Sequence, residues 1–251
     1  MFRYANSRFG GEFNMISVLT LTYQRHHILE EAIESFLRQD FSGESEMVII
    51  NDSPQVEYVF EHPKIKIINV KERFPTIGHK LKFGFSQCKY EYIYRLDDDD
   101  LMAPWALSHT WDDIIAHPGY EIYRSSGHYL FENNKFIGIS GNVNNGNVYT
   151  KNYLSRIEIP DASFGEDYAI TFNFNAKIFE SPREQKTMIY RWGMNTYHIS
   201  GMGSISEDAR HEWTDRIVEN VAKVRNTSVD EGVITLHPHF DEEYYKQISV
   251  N

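Results

Sequence analysis

A single cysteine, Cys88, in a chain of 251 residues excludes any intramolecular disulfide and any multi-cysteine metal site. Basic residues are also scarce. The 25 Lys and Arg against 36 Asp and Glu leave a net charge of −11, which argues against nucleic acid as a partner held by general phosphate neutralisation. No stretch reaches the roughly 18 uninterrupted apolar residues of a membrane helix, so no transmembrane segment is expected. Residues 1–14 carry Arg3 and Arg8 without an apolar stretch, so they read as a leader or tag ahead of a start at Met15 rather than a secretory signal. A cytoplasmic location is the default expectation. Internal repeats and linkers are missing too, which points to one domain over residues 15–226 with a C-terminal tail at 227–251. What the chain does have is rings: 16 Tyr, 16 Phe and 4 Trp, most of them expected on core faces.

The first hundred residues alternate between two periodicities. Met15 to Thr22 is an apolar, β-branched run that predicts a buried strand. A helical pattern follows from His26 to Asp40, with Ile28, Leu29, Ala32, Ile33, Phe36 and Leu37 on one face and Glu30, Glu31, Glu34 and Arg38 on the other. Strands are expected at 46–51, 64–70 and 91–96, helices at 78–88 and from Pro104 onward. This order predicts an α/β fold: a mostly parallel sheet flanked by crossover helices, with ligands beyond the carboxyl ends of the strands. Those ends carry Thr22-Tyr23, Asp52-Ser53 and Asp97 to Asp100. The second half is less regular, with an Asn/Gly-rich turn at 141–147, a helix start near Phe164, a strand at 186–192 and an amphipathic helix at 207–226.

Four consecutive aspartates carry the strongest chemical signal. Adjacent carboxylates repel one another, so a folded chain keeps them where water or a cation compensates. Alternate residues of an extended segment point the same way, which lets Asp97 and Asp99 face one ligand. The run follows an apolar strand and precedes a proline-opened helix, a context that favours a cation site over a solvated turn.

Four segments resemble the family 2 glycosyltransferases of the GT-A fold. Ile16 to Arg25 is similar to that family's opening strand and its ending, with Leu21 and Gln24 where proline and asparagine are usual. Asn51-Asp52-Ser53 resembles the turn after its second strand. Gly78-His79-Lys80-Leu81-Lys82-Phe83-Gly84 resembles its glycine–lysine segment, with Lys82 replacing asparagine. Tyr92 to Asp100 resembles its D-x-D segment. The likeness covers residues 15–110, the nucleotide-sugar-binding half, and thins over 111–226, the acceptor half.

The resemblance implies a nucleotide diphosphate sugar donor, UDP-linked by preference, held with Mn2+ or Mg2+. It implies Asp99 as metal ligand, Asp97 on metal or ribose, and Asp98 near the donor sugar. Asp52 and Tyr23 would meet the nucleobase, and Thr22, Arg25 and Lys80 would lie along ribose and phosphate. Gly165-Glu166-Asp167-Tyr168, about 65 residues downstream, resembles the family's Glu-Asp pair, which makes Asp167 the base for an inverting transfer and Glu166 its reserve. His198 resembles the family's late histidine and is a further candidate metal ligand. The acceptor stays open among glycan, lipid-linked and protein hydroxyls, and the chain is expected as monomer or homodimer. Two alternatives remain at this point: a nucleotidyltransferase making nucleotide sugars, and a non-catalytic nucleotide- or sugar-binding module. The absence of glycine in Thr22-Tyr23-Gln24-Arg25-His26 counts against the first, because a triphosphate wants a glycine-rich cradle.

Overall fold

The computed structural model describes residues 14–192 and 207–249. In chain order the elements are β1 (Met15–Thr22), α1 (His26–Leu37), β2 (Glu44–Asn51), β3 (Val56–Val59), β4 (Ile65–Asn69), α2 (Ile77–Gln87), β5 (Tyr92–Arg95), β6 (Leu101–Met102) and α3 (Ala106–Ala116). Then come β7 (Ile122–Ser125), β8 (His128–Glu132), β9 (Lys135–Ser140), β10 (Val148–Thr150), α4 (Lys151–Leu154), α5 (Glu166–Phe172), β11 (Ile178–Ser181), β12 (Met188–Trp192), α6 (Glu207–Arg225), β13 (Gly232–Thr235) and α7 (Tyr244–Ile248).

The unbroken apolar runs of β1 and β2 form the centre of a seven-stranded sheet ordered β11-β7-β10-β5-β1-β2-β4. Only β10 runs against its neighbours, pairing antiparallel with both β5 and β7. Residues of one strand alternate between two cores. Ile16 and Val18 pack toward α1 and α3 with Leu29, Ile33 and Trp111, whereas Leu19 packs toward α2 with Leu81 and Phe85. The expected α/β architecture, mostly parallel with flanking helices, is what the chain adopts. A second sheet, ordered β6-β12-β8-β9, carries the strand that ends at Trp192.

Two features differ from the sequence expectations. Glu30 and Glu31 do not lie on a solvent face of α1 but are buried, at 6% and 1% exposure. Glu31 pairs with the Arg191 guanidinium, and Glu30 accepts a hydrogen bond from the His237 amide at 2.7 Å. The segment expected as a C-terminal tail is packed instead. β13 pairs with β3, and Tyr244 and Ile248 fill a core with Leu101, Phe131 and Ile189. Asp230 accepts from the His26 amide at 2.9 Å and from the Tyr58 hydroxyl at 2.5 Å, which closes the N-terminus of α1. Its apolar patches are too short for periodicity to reveal. The amphipathic helix expected at 207–226 is present as α6, whose Val218 and Val221 pack against Ile28 of α1. No helix among the described residues is long and apolar enough to cross a membrane.

Candidate active site

The carboxyl ends of β1, β2 and β5 open onto one cavity of about 810 Å³, closed on the far side by the 142–145 loop, the start of α5 and α6. Of the sequence-predicted residues, Thr22, Tyr23, Arg25, Asp52, Lys80, Asp97, Asp99, Glu166 and Asp167 all line it. His198 lies outside the described residues.

The wall built by residues 22–80 is already paired internally. The Lys80 ammonium donates to the Thr22 carbonyl at 2.6 Å and to the Asp52 carboxylate, which also accepts from the Phe74 amide at 3.0 Å. Burial pulls Lys80 below the ordinary lysine range, and Asp52 opposes that pull. Lys80 therefore fixes Asp52 in place. Tyr23 lies under the Arg73 guanidinium, 3.9 Å from the ring centroid, and burial pushes its phenol up to about 12. Arg73 in turn reaches Asp215 of α6 at 3.0 Å. Thr76 caps α2 by accepting from the His79 amide at 3.2 Å, and the same first turn has Gly78 against Pro160, where a Cβ would come within 1.8 Å of the carbonyl oxygen.

The aspartate run divides its tasks. Arg25 grips Asp98 through one guanidinium edge, Nε and Nη2, at 2.7 and 2.5 Å, and its Nη1 lies 3.7 Å from Asp99. Asp98 is wholly buried and off the cavity wall, so it is a strut for Arg25 rather than a residue turned toward a donor sugar. Burial pushes its carboxyl up to about 6 against the opposing pull of Arg25. Asp97, Asp99 and Asp100 can each present an oxygen within 4.8 Å of the others. Asp97 and Asp99 line the cavity, while buried Asp100 accepts from the Asn145 amide group and from the Arg191 amide at 2.9 Å. Arg191 also donates to the Asp99 carbonyl at 2.6 Å, and Asn145 accepts from the Asp97 amide at 3.0 Å. The backbone of the run is thus clamped from two distant segments. An all-oxygen, anionic donor set of this kind fits a hard divalent cation.

On the opposite wall Gly165, at φ +73, turns the chain into α5 and brings Glu166 and Asp167 to the cavity. Glu166 is buried and its carboxyl is pushed up to about 7, chiefly by desolvation, with Arg95 opposing. Asp167 is half-buried and accepts from the Tyr168 amide at 2.6 Å. Between the aspartate run and this pair sits Arg95, 6% exposed, with an ion pair to Asp97 at 3.0 Å and with Asp167 and Glu166 as further charged neighbours. Its Nε and Nη1 have no hydrogen-bond partner among the described residues. Sequence reasoning missed Arg95 because an arginine ending a strand reads as ordinary. It missed Arg73, Asn145 and Arg191 because their partners are remote in the chain.

Residues 17–135 match the family model Glycosyl transferase family 2. Solved structures share the fold at low identity. TarS 1-349 from S. aureus in complex with UDP-GlcNAc aligns with a TM-score of 0.61 and 16% identity, covering 86% of this chain and 68% of that one. The same protein in complex with UDP gives 0.58, at 16% identity over 86% and 67% of the two chains. The mannosyltransferase PcManGT from Pyrobaculum calidifontis, in complex with GDP-Man and Mn2+, gives 0.54 at 14% identity, over 86% and 65%. The chain spans 40% of the longer TarS chain. The family match starts in β1 and runs through the aspartate turn into the second sheet, and the fold around it is the one these transferases use. A glycosyltransferase family 2 segment thus spans residues 17–135, set in the fold that these glycosyltransferases share.

Proposed function

We propose that the protein transfers a sugar from a nucleotide diphosphate sugar, UDP-linked by preference, to an acceptor hydroxyl with inversion and with the help of a divalent cation. The observation that supports this most is the facing of two carboxylate groups across one cavity: Asp97 and Asp99 on one wall, Glu166 and Asp167 on the other. UDP and UDP-GlcNAc bound to TarS, and GDP-Man with Mn2+ bound to PcManGT, support a nucleotide sugar with a cation on this fold.

Asp97 and Asp99 would hold Mn2+ or Mg2+. When bound, such a cation supplies charge neutralisation for the departing diphosphate. The chain's own residues do the rest. Tyr23 offers a ring for the base, and Asp52, immobilised by Lys80, offers an oxygen to its N–H groups. Asp167 takes the proton from the acceptor hydroxyl as that oxygen bonds to the anomeric carbon and the bond to the diphosphate oxygen breaks. The half-buried position of Asp167 keeps it reachable, whereas buried Glu166 holds its proton to higher pH. Asp167 is therefore the base, with Glu166 behind it.

Thermal shift and donor hydrolysis across a panel of nucleotide sugars with Mn2+ test the reading. UDP with Mn2+ should raise Tm, and Asp99→Ala should weaken that metal-dependent binding by about 100-fold or more, since even partners outside the ligand shell are worth 10- to 100-fold. No stabilisation by any nucleoside diphosphate, together with no donor hydrolysis, overturns it.

A further inference from the structure

Beside the proposed base the protein exposes rings instead of burying them. Phe164, Tyr168 and Phe172 are 54%, 56% and 39% exposed, and the Tyr168 and Phe172 rings meet at 4.9 Å. Phe164 and Tyr168 line the cavity next to Asp167. Helical spacing explains the cluster: Tyr168 and Phe172 stand one turn apart on α5, and Phe164 precedes its glycine start. A patch of large rings left in water at the mouth of a reaction site is costly unless something covers it.

The border of the patch is polar. The Arg124 guanidinium lies 5.3 Å over Phe172 and donates to Glu180 at 2.7 Å. Asn142 donates to the same Glu180 at 2.7 Å, and Asn142 returns to the cavity wall beside Tyr168. Rings ringed by amides, carboxylates and a guanidinium match a ligand with an apolar face and a hydroxylated edge. A pyranose has that shape, because its axial C–H bonds form one face and its hydroxyls project around the rim. A lipid chain would want a continuous apolar groove, and a peptide would want backbone partners along a strand edge.

We infer that Phe164, Tyr168 and Phe172 form the acceptor platform and that the acceptor is a carbohydrate, one of whose pyranose rings lies on Tyr168 while a hydroxyl reaches Asp167. The inference rests on the transferase reading for the role of Asp167. The platform itself is a sugar-binding surface whether or not that reading holds.

Saturation-transfer NMR with cellobiose, maltose, lactose and N,N′-diacetylchitobiose, with and without UDP and Mn2+, tests it. At least one disaccharide should receive magnetisation from the protein's ring protons. Tyr168→Ala should abolish the transfer, Tyr168→Phe should retain it, and Ile139→Ala, a substitution of an equally exposed residue on β9, should leave it as it was. With the disaccharide as acceptor, Tyr168→Ala should raise its KM on the order of 3- to 10-fold, more than it lowers kcat. Saturation transfer to a disaccharide without any nucleotide binding upholds the platform and sinks the transferase reading. Nucleotide binding and donor hydrolysis with no disaccharide contact, or contact undiminished in Tyr168→Ala, overturns the platform. Farnesyl phosphate displacing the disaccharide overturns the carbohydrate assignment in favour of a lipid-linked acceptor.

Discussion

The two walls of the cavity handle charge in opposite ways. On the donor wall each cation faces a carboxylate partner: Lys80 with Asp52, Arg25 with Asp98 and Arg73 with Asp215. Between that wall and the Glu166–Asp167 pair, a single cation, Arg95, stands beside three carboxylates, Asp97, Glu166 and Asp167. A wall of mutually paired charges is rigid before any ligand arrives and costs no reorganisation when one does. On the second wall burial, with Asp167 as a like-charged neighbour, lets Glu166 keep its proton to higher pH, while half-buried Asp167 stays within reach of a ligand. Substitutions on the first wall should therefore damage stability, and those on the second should damage turnover.

Asp167→Asn is the sharpest way to test that division. It removes the base without changing shape, so kcat should fall by about 10²- to 10⁴-fold while Tm and nucleotide affinity hold. Steady-state kinetics beside calorimetry measure both, and surviving transfer would return the base to Glu166. Lys80→Met should do the reverse. It leaves Asp52 buried and unpaired, so urea denaturation should show a loss of about 3–5 kcal/mol. Gly78→Ala probes the seam between the walls, because its Cβ would press on the Pro160 carbonyl, and about 1–3 kcal/mol should be lost in the same measurement.

Glu166→Gln has the smallest effect, and its sign is set by pH. The native carboxyl, raised to about 7, keeps its proton where the unfolded chain, at the ordinary 4.5, has released it. The native state therefore binds more protons between those values, and wild-type stability falls as pH rises through that window and levels off above it. The glutamine variant lacks this slope, so between pH 5 and pH 8 it should lose on the order of 2 kcal/mol less than wild type. Equal slopes in urea titrations at the two pH values would contradict the burial argument.

The sheet centre was readable because β1 and β2 are buried on both faces and must be apolar without interruption, so their limits stand out in one pass along the chain. The cavity lining was readable for a related reason: residues at strand ends converge in a parallel sheet whatever the side chains do. Pairings across long separations were not readable. Asp98 sits among equivalent aspartates, and nothing in its spacing says that Arg25, 73 positions earlier, takes it out of the cavity. Glu31 occupies a polar face by helical periodicity, yet Arg191 makes that face interior. Short strands such as β13, four residues beside charged neighbours, fall below what alternation can detect.

The packing of residues 229–249 sets an order of events. Asp230 closes the start of α1 through the His26 amide, and the Tyr244 hydroxyl stands 3.3 Å from the Arg191 guanidinium that clamps Asp99 and Asp100. A nascent chain still threaded in the ribosome can form β1, β2 and β5 but lacks both of these ties. The aspartate run, made well before residues 229–249, reaches its final setting only after that stretch has emerged. A truncated translation product missing that stretch would thus carry every site residue named above and still be an idle enzyme.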